Sequence, residues 1–226
     1  MSIPALIVVS FLAATSIAFL SHYSLVNFEL YFGPVSPALA TLGICSFGII
    51  ALFTLRNRFG FQVWNVGFSS ARFLLSAGLA IPFMLSATIA DVFLGFPPDI
   101  NVAIPAALLF YPVIAYVAQL ALHVVPLAIV ASVLSFLCKS WSVERRIWSA
   151  IVLVATFEAV YQVLLAVPRG DSSLLITFVA AQLFAFGLVE FYLFRRFDYA
   201  SMYVFRLTYY AYWHITWGWY RLEWIN

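Results

Sequence analysis

The sequence predicts an all-α, polytopic membrane protein with about seven transmembrane helices and a cytoplasmic N-terminus. Three observations predict it. Of 226 residues, 65% are hydrophobic and 9% charged, whereas a soluble domain carries about a quarter charged residues. Seven apolar stretches approach or exceed the roughly 20 residues needed to cross a hydrocarbon core. When these stretches are threaded alternately, Lys and Arg collect on one side. A mean hydropathy of +1.04 excludes a soluble enzyme, a disordered tail and a secreted disulfide scaffold. A net charge of +2 without a basic cluster gives no footprint for nucleic acid. The expected partners are the lipid bilayer and other membrane proteins.

The first stretch, Ile3–Leu20, has no Lys or Arg before it, so the basic n-region of a cleaved leader is missing and a retained span is expected. The second and third run Tyr31–Leu55 and Phe73–Leu94, and the segment Phe59–Ser70 between them predicts an interfacial turn or short helix. The fourth, Val102–Leu137, is the anomaly: straight, it would extend about 54 Å, and it contains Pro105, Pro112 and Pro126. It must tilt, break or project from the membrane. The last three are Ile147–Val167, Leu174–Leu193 and Tyr199–Tyr220.

Charge decides that the fourth stretch crosses once. A single crossing puts Arg56, Arg58, Arg72, Lys139, Arg145, Arg146, Arg195 and Arg196 on one side. Arg169 and Arg221 then lie on the other, with Arg206 inside a span. Positive residues favour the cytoplasm, so the simplest membrane is a bacterial inner membrane with the C-terminus outside. Trp64, Trp141 and Trp148 mark one interface, Trp217, Trp219 and Trp224 the other. Connections are short and no repeat is visible, so residues 1–226 read as one domain. Cys45 and Cys138 lie in or at the end of apolar runs without metal-ligand spacing; they read as packing residues, and no metal site is expected.

Charge inside a span is costly and turns toward the bundle. Gln119 and His123 share a face of the fourth span, as do Glu158 and Gln162 in the fifth. Gln182 and Glu190 lie about 80° apart around the sixth, and Arg206, Tyr210 and His214 repeat every fourth residue in the seventh. Four helices thus carry polar stripes. Glu190 and Arg206, at similar depth on consecutive antiparallel helices, predict an ion pair. Glu158 and Gln182 both approach the midplane, where they would meet. For Glu158 two readings stand: a buried neutral carboxyl bonded to Gln119, Gln162 or His123, or a functional group. Asp91, near the outer end of its span, reads as a solvated interfacial carboxylate.

The run from Tyr111 to His214 resembles the membrane domain of the CPBP family, the CAAX-protease and bacteriocin-processing intramembrane proteases. That family has Glu-Glu-x-x-x-Arg, Phe-x-x-x-His and His-x-x-x-Asn/Asp motifs on successive helices. Here AQLALH, FEAVY and RLTYY take those places, and GLVEFYLFRRFDYASMYVFRLTYY is similar to the approach to the last motif. Ala118 and Gln119 stand at the paired glutamates, His123 at the arginine, Tyr161 at the second motif's histidine, and Arg206 and Tyr210 at the third motif's His and Asn/Asp. Phe157 alone is retained. The resemblance implies a glutamate-activated water attacking a peptide bond within the membrane, but a glutamine cannot accept the proton. Its implication is a catalytically degenerate protein acting as a binding, scaffold or accessory membrane subunit. Glu158, with His123 and Gln119, would be the catalytic set if Glu158 served as a displaced base.

Two other functions compete. The ending YWHITWGWYRLEWIN resembles that of bacterial light-harvesting polypeptides, which implies His214 as a bacteriochlorophyll ligand or the chain as an accessory subunit of a photosynthetic or respiratory complex. Haem held between His123 and His214 is a related expectation. The second is a proton or small-cation transporter using midplane Glu158.

Overall fold

The structure is a computed structural model that describes residues 3–64, 69–97, 101–166 and 172–225. It is an integral membrane protein built as a polytopic helical bundle, with no strand among the described residues. Helix α1 covers Ile3–His22, α2 is a single turn at Glu29–Phe32, and α3 and α4 cover Pro37–Phe59 and Ser70–Leu94. The expected long stretch is α5 (Ala106–Gln119) and α6 (Val125–Leu137), joined through a π-turn at Leu120–Val124. Then come α7 (Val143–Ala166), α8 (Ser173–Arg196) and α9 (Tyr199–Tyr210). The last continues through a π-turn at Ala211–Trp217, the short α10 (Gly218–Tyr220) and another π-turn at Arg221–Ile225.

Among the described residues, six helices are long and apolar enough to span a bilayer: α1, α3, α4, the continuous Ala106–Leu137, α7 and α8. The seventh expected span corresponds to the helical run from Tyr199 to Ile225, whose first half carries more polar side chains. The second span starts later than expected, at Pro37, because the chain first makes the α2 turn. The Phe59–Ser70 connection begins with Gly60 at φ +72°, whose N–H closes on the Arg56 carbonyl while Phe61 N–H reaches Leu55. Such a left-handed helix end favours glycine. The rest of that expectation, residues 65–68, lies outside the described residues, as do Val167 and Arg169.

Pro126 explains why the long helix swells where it does. It has no N–H to give Leu122, and a proline ring displaces the carbonyl four residues earlier. The ladder widens just before it, and Val125 N–H bonds Leu120. Gly48 of α3 accommodates this turn: a Cβ there would lie 2.8 Å from Leu120 Cδ1.

Helix ends at Phe59, Arg196 and Tyr199 meet at one face of the bundle. Arg195 Nη1 donates to the Phe59 carbonyl at 2.8 Å, Arg195 also pairs with Glu144, and Tyr199 N donates to Gln62 O at 3.0 Å. Asp198 caps α9 by accepting from Ser201 N and Oγ, and its other oxygen lies 3.1 Å from Arg72 Nη1. The described helices alternate in direction from this end, so the eight basic residues assigned to one side share it.

The interior is lined by small residues. Ala80, Ala107, Ala115, Ala131, Ala150 and Ala155 are all fully buried, which lets backbones approach as membrane helices require. Large apolar side chains occupy both sides: Phe110, Phe191, Phe194 and Phe205 are fully buried, while Phe47, Leu74 and Phe93 point out, the last 81% exposed. This is the pattern of a surface solvated by lipid.

Candidate functional site

Four helical segments deliver one buried polar cluster. The end of α5 and its π-turn supply Gln119 and His123, α7 supplies Glu158, α8 supplies Glu190, and α9 supplies Arg206 with Tyr210 at its edge. None of the first five is more than 3% exposed. Arg206 meets Glu190 through two hydrogen bonds, Nε to Oε1 and Nη2 to Oε2, both 2.7 Å. This paired geometry is the strong form of a guanidinium–carboxylate contact, and it is the ion pair expected from sequence. His123 Nε2 lies 2.9 Å from Glu158 Oε2 and 2.9 Å from Glu190 Oε2. Arg206 Nη2 reaches Glu158 Oε1 at 3.5 Å, and Nη1 donates to Tyr210 Oη at 3.4 Å. Gln119 Nε2 donates to Glu190 Oε1 at 2.9 Å and to the Met202 carbonyl at 3.0 Å. The guanidinium also sits 5.5 Å from the Phe186 ring centre, a cation–π distance.

Helix faces decide membership. Gln119 and His123 are one turn apart on the long helix and both point in, as their spacing predicts. On α7 it is Glu158 that turns inward, where Gly187 of α8 leaves space: a Cβ at that glycine would lie 3.7 Å from Glu158 Oε2. Phe157 and Tyr161, the positions of the second family motif, are 53% and 40% exposed and stack on each other outside the bundle. That motif, laid on this sequence, faces away from the cluster.

Several expectations are corrected. Of the partners expected for Glu158, His123 lies against it at 2.9 Å, while Arg206, not expected there, reaches it at 3.5 Å. Glu158 and Gln182 do not meet. With Glu190 facing the long helix, Gln182 turns toward α4, where it accepts from Ser86 Oγ at 2.8 Å and donates to the Phe83 carbonyl at 3.2 Å. Gln162, one turn beyond Glu158, is half-buried and makes none of the hydrogen bonds that join the cluster. His214 stacks flat on Tyr111 with ring centres 4.5 Å apart, and Tyr210 meets its edge. The two histidines have different surroundings: His123 Nε2 lies against two carboxylates, whereas His214 packs on tyrosine rings. Among the described residues no group of three or more His, Cys, Asp or Glu is arranged to hold a metal.

A second polar centre was not foreseen. Asp91 is 8% exposed rather than solvated, and its Oδ2 lies 2.7 Å from both Arg221 Nε and Trp217 Nε1. Arg221 spends its other donors on Asn101 Oδ1 and the Phe96 carbonyl, both at 2.6 Å. The signal was available: Asp91 and Arg221 fall at the same end of the bundle once the spans are threaded, and a buried arginine there needs an acid.

No protein-family model, curated protein or solved structure matches the chain.

Proposed function

We propose that this protein is a CPBP-like membrane protein without peptidase activity, acting as a scaffold or accessory subunit in a bacterial inner membrane. The observation that carries this reading is the occupation of the site. At the positions of the family's first and third motifs stand Gln119, His123, Arg206 and Tyr210, and these side chains bond one another and two glutamates instead of facing a substrate. Glu158, the one candidate for a displaced base, lies against His123 at 2.9 Å and near Arg206. A general base must reach the proton it removes, and this one is engaged by two basic side chains at 2% exposure. The basic end, with Arg56, Arg72, Lys139 and Arg195, faces the cytoplasm in this reading.

The test is mild-detergent extraction from the native membrane, with sizing and identification of stoichiometric co-eluting chains. It is paired with a cleavage assay on transmembrane peptides in lipid nanodiscs. A stable larger assembly and no cleavage dependent on Glu158 are expected. A lone monomer, or cleavage abolished by Glu158→Gln in a protein that still folds, overturns the proposal.

A further inference from the structure

We infer that the central cluster is a proton-binding site holding one proton between His123 and Glu158, so that the four charged side chains sum to zero. The inference does not depend on a scaffold role. It begins with a count. Glu158 and Glu190 bring two negative charges and Arg206 brings one positive. The groups facing His123 are these three, from α7, α8 and α9, together with the neutral Gln119 on its own helix; α3, packed against the π-turn, presents Gly48 there. Unprotonated, the set would leave a net negative charge in a dry bundle centre, the state that burial penalises most. One added proton removes it.

Geometry says where that proton goes. Glu190 is already engaged by the guanidinium through both oxygens, with a further bond from Gln119. Glu158 meets Arg206 only at 3.5 Å. Its stronger partner is His123, whose Nε2 stands at hydrogen-bond distance from one oxygen of each glutamate. A neutral ring with a bare Nε2 would set its lone pair against two carboxylate oxygens, so that nitrogen carries hydrogen. At 2.9 Å both contacts are ion-pair distances, and they leave no room for a metal cation between the atoms. The set also leaves Nδ1 of His123, Oε1 of Gln119 and Oε2 of Glu158 buried without a hydrogen-bond partner, so its capacity for hydrogen is not filled. The amide orientation of Gln119 is fixed because its nitrogen already serves two acceptors.

The experiment uses the full chain in lipid nanodiscs with nitrogen-15-labelled histidine. The protein has three histidines, and His123→Asn assigns the relevant signal by its loss. Infrared spectra of wild type and Glu158→Gln report whether Glu158 is a carboxylic acid. At neutral pH the wild type is expected to show an imidazolium at His123, or a neutral ring with a protonated Glu158, but one proton in total. With Glu158→Gln the anionic excess disappears, so His123 is expected to shift to a neutral ring. With His123→Gln the proton is expected to move to Glu158 and give a carboxylic-acid band, an arm that serves if Glu158→Gln fails to fold. Replacing sodium with potassium is expected to leave these signals unchanged. A neutral His123 beside an ionised Glu158 in the wild type overturns the proposal. So does a His123 charge that ignores Glu158→Gln, or spectra that follow the metal cation.

Discussion

The central cluster and the Asp91–Arg221 clamp both bury arginine against carboxylate beneath an apolar surface, yet they balance charge differently. At the clamp one acid meets one base, and the remaining donors of Arg221 end on an amide and a backbone carbonyl. At the centre two acids share one arginine and a histidine. The clamp is complete by itself and ties the final helical run to α4 and the segment before α5. The centre carries one more acid than arginine, and that imbalance sets it apart from the clamp. A buried ion pair is by itself weak evidence for stability, and an acid without a full counter-charge is costly to bury.

The largest effect is expected from Arg206→Met, which leaves two buried carboxylates with only His123 between them. Breaking a buried pair costs about 3–5 kcal/mol, so this variant should unfold at far lower denaturant or temperature in detergent, or fail to accumulate. Arg221→Met should cost less, about 2–3 kcal/mol for lost charge-assisted hydrogen bonds near the bundle end. If Arg221→Met proves the more damaging of the two in the same unfolding assay, the contrast between the sites is wrong.

Gly48→Ala tests the support beneath His123 without touching charge. The new methyl must push Leu120 aside, and overpacking costs about 1–3 kcal/mol. Wild-type thermal stability in that variant would mean the π-turn yields freely. Glu158→Gln should change stability by only about 1 kcal/mol or less, because removing one partner of an over-acidic set relieves burial as it loses attraction. Smallest is Tyr161→Leu, within about 0.5 kcal/mol, since the ring lies outside the bundle; a large loss of stability or of partner binding would place Tyr161 in a contact the fold does not require.

Much of the architecture was legible in the residues. Composition and the length of apolar runs set the helical membrane class, and the sidedness of Arg and Lys chose one crossing for the long stretch. The ion pair of Glu190 with Arg206, and the convergence of Gln119 and His123, followed from spacing and depth. What spacing could not supply was rotation between helices. The cost of a charge in lipid turns Glu158 rather than its neighbour Phe157 inward, but which helix it then meets is set by packing, Gly187 of α8 leaving the space. Gln182 was lost for the same reason, its 80° offset from Glu190 being enough to face another helix. The clamp was missed because Asp91 near a helix end looks like any interfacial acid until Arg221 and Trp217 close over it.

The π-turn at Leu120–Val124 makes the long helix a device for counting. A turn closed over five residues holds one more than an α-turn needs, so it takes up one residue locally, just ahead of Pro126, and sets the facing of the helix that follows. Wound as uninterrupted α-helix, the same residues would place everything downstream about 100° further round, turning the buried Leu127, Ala128 and Ala131 away from their present neighbours. The side of α6 that meets α3 and α7 is therefore chosen at a turn that precedes it, beside His123.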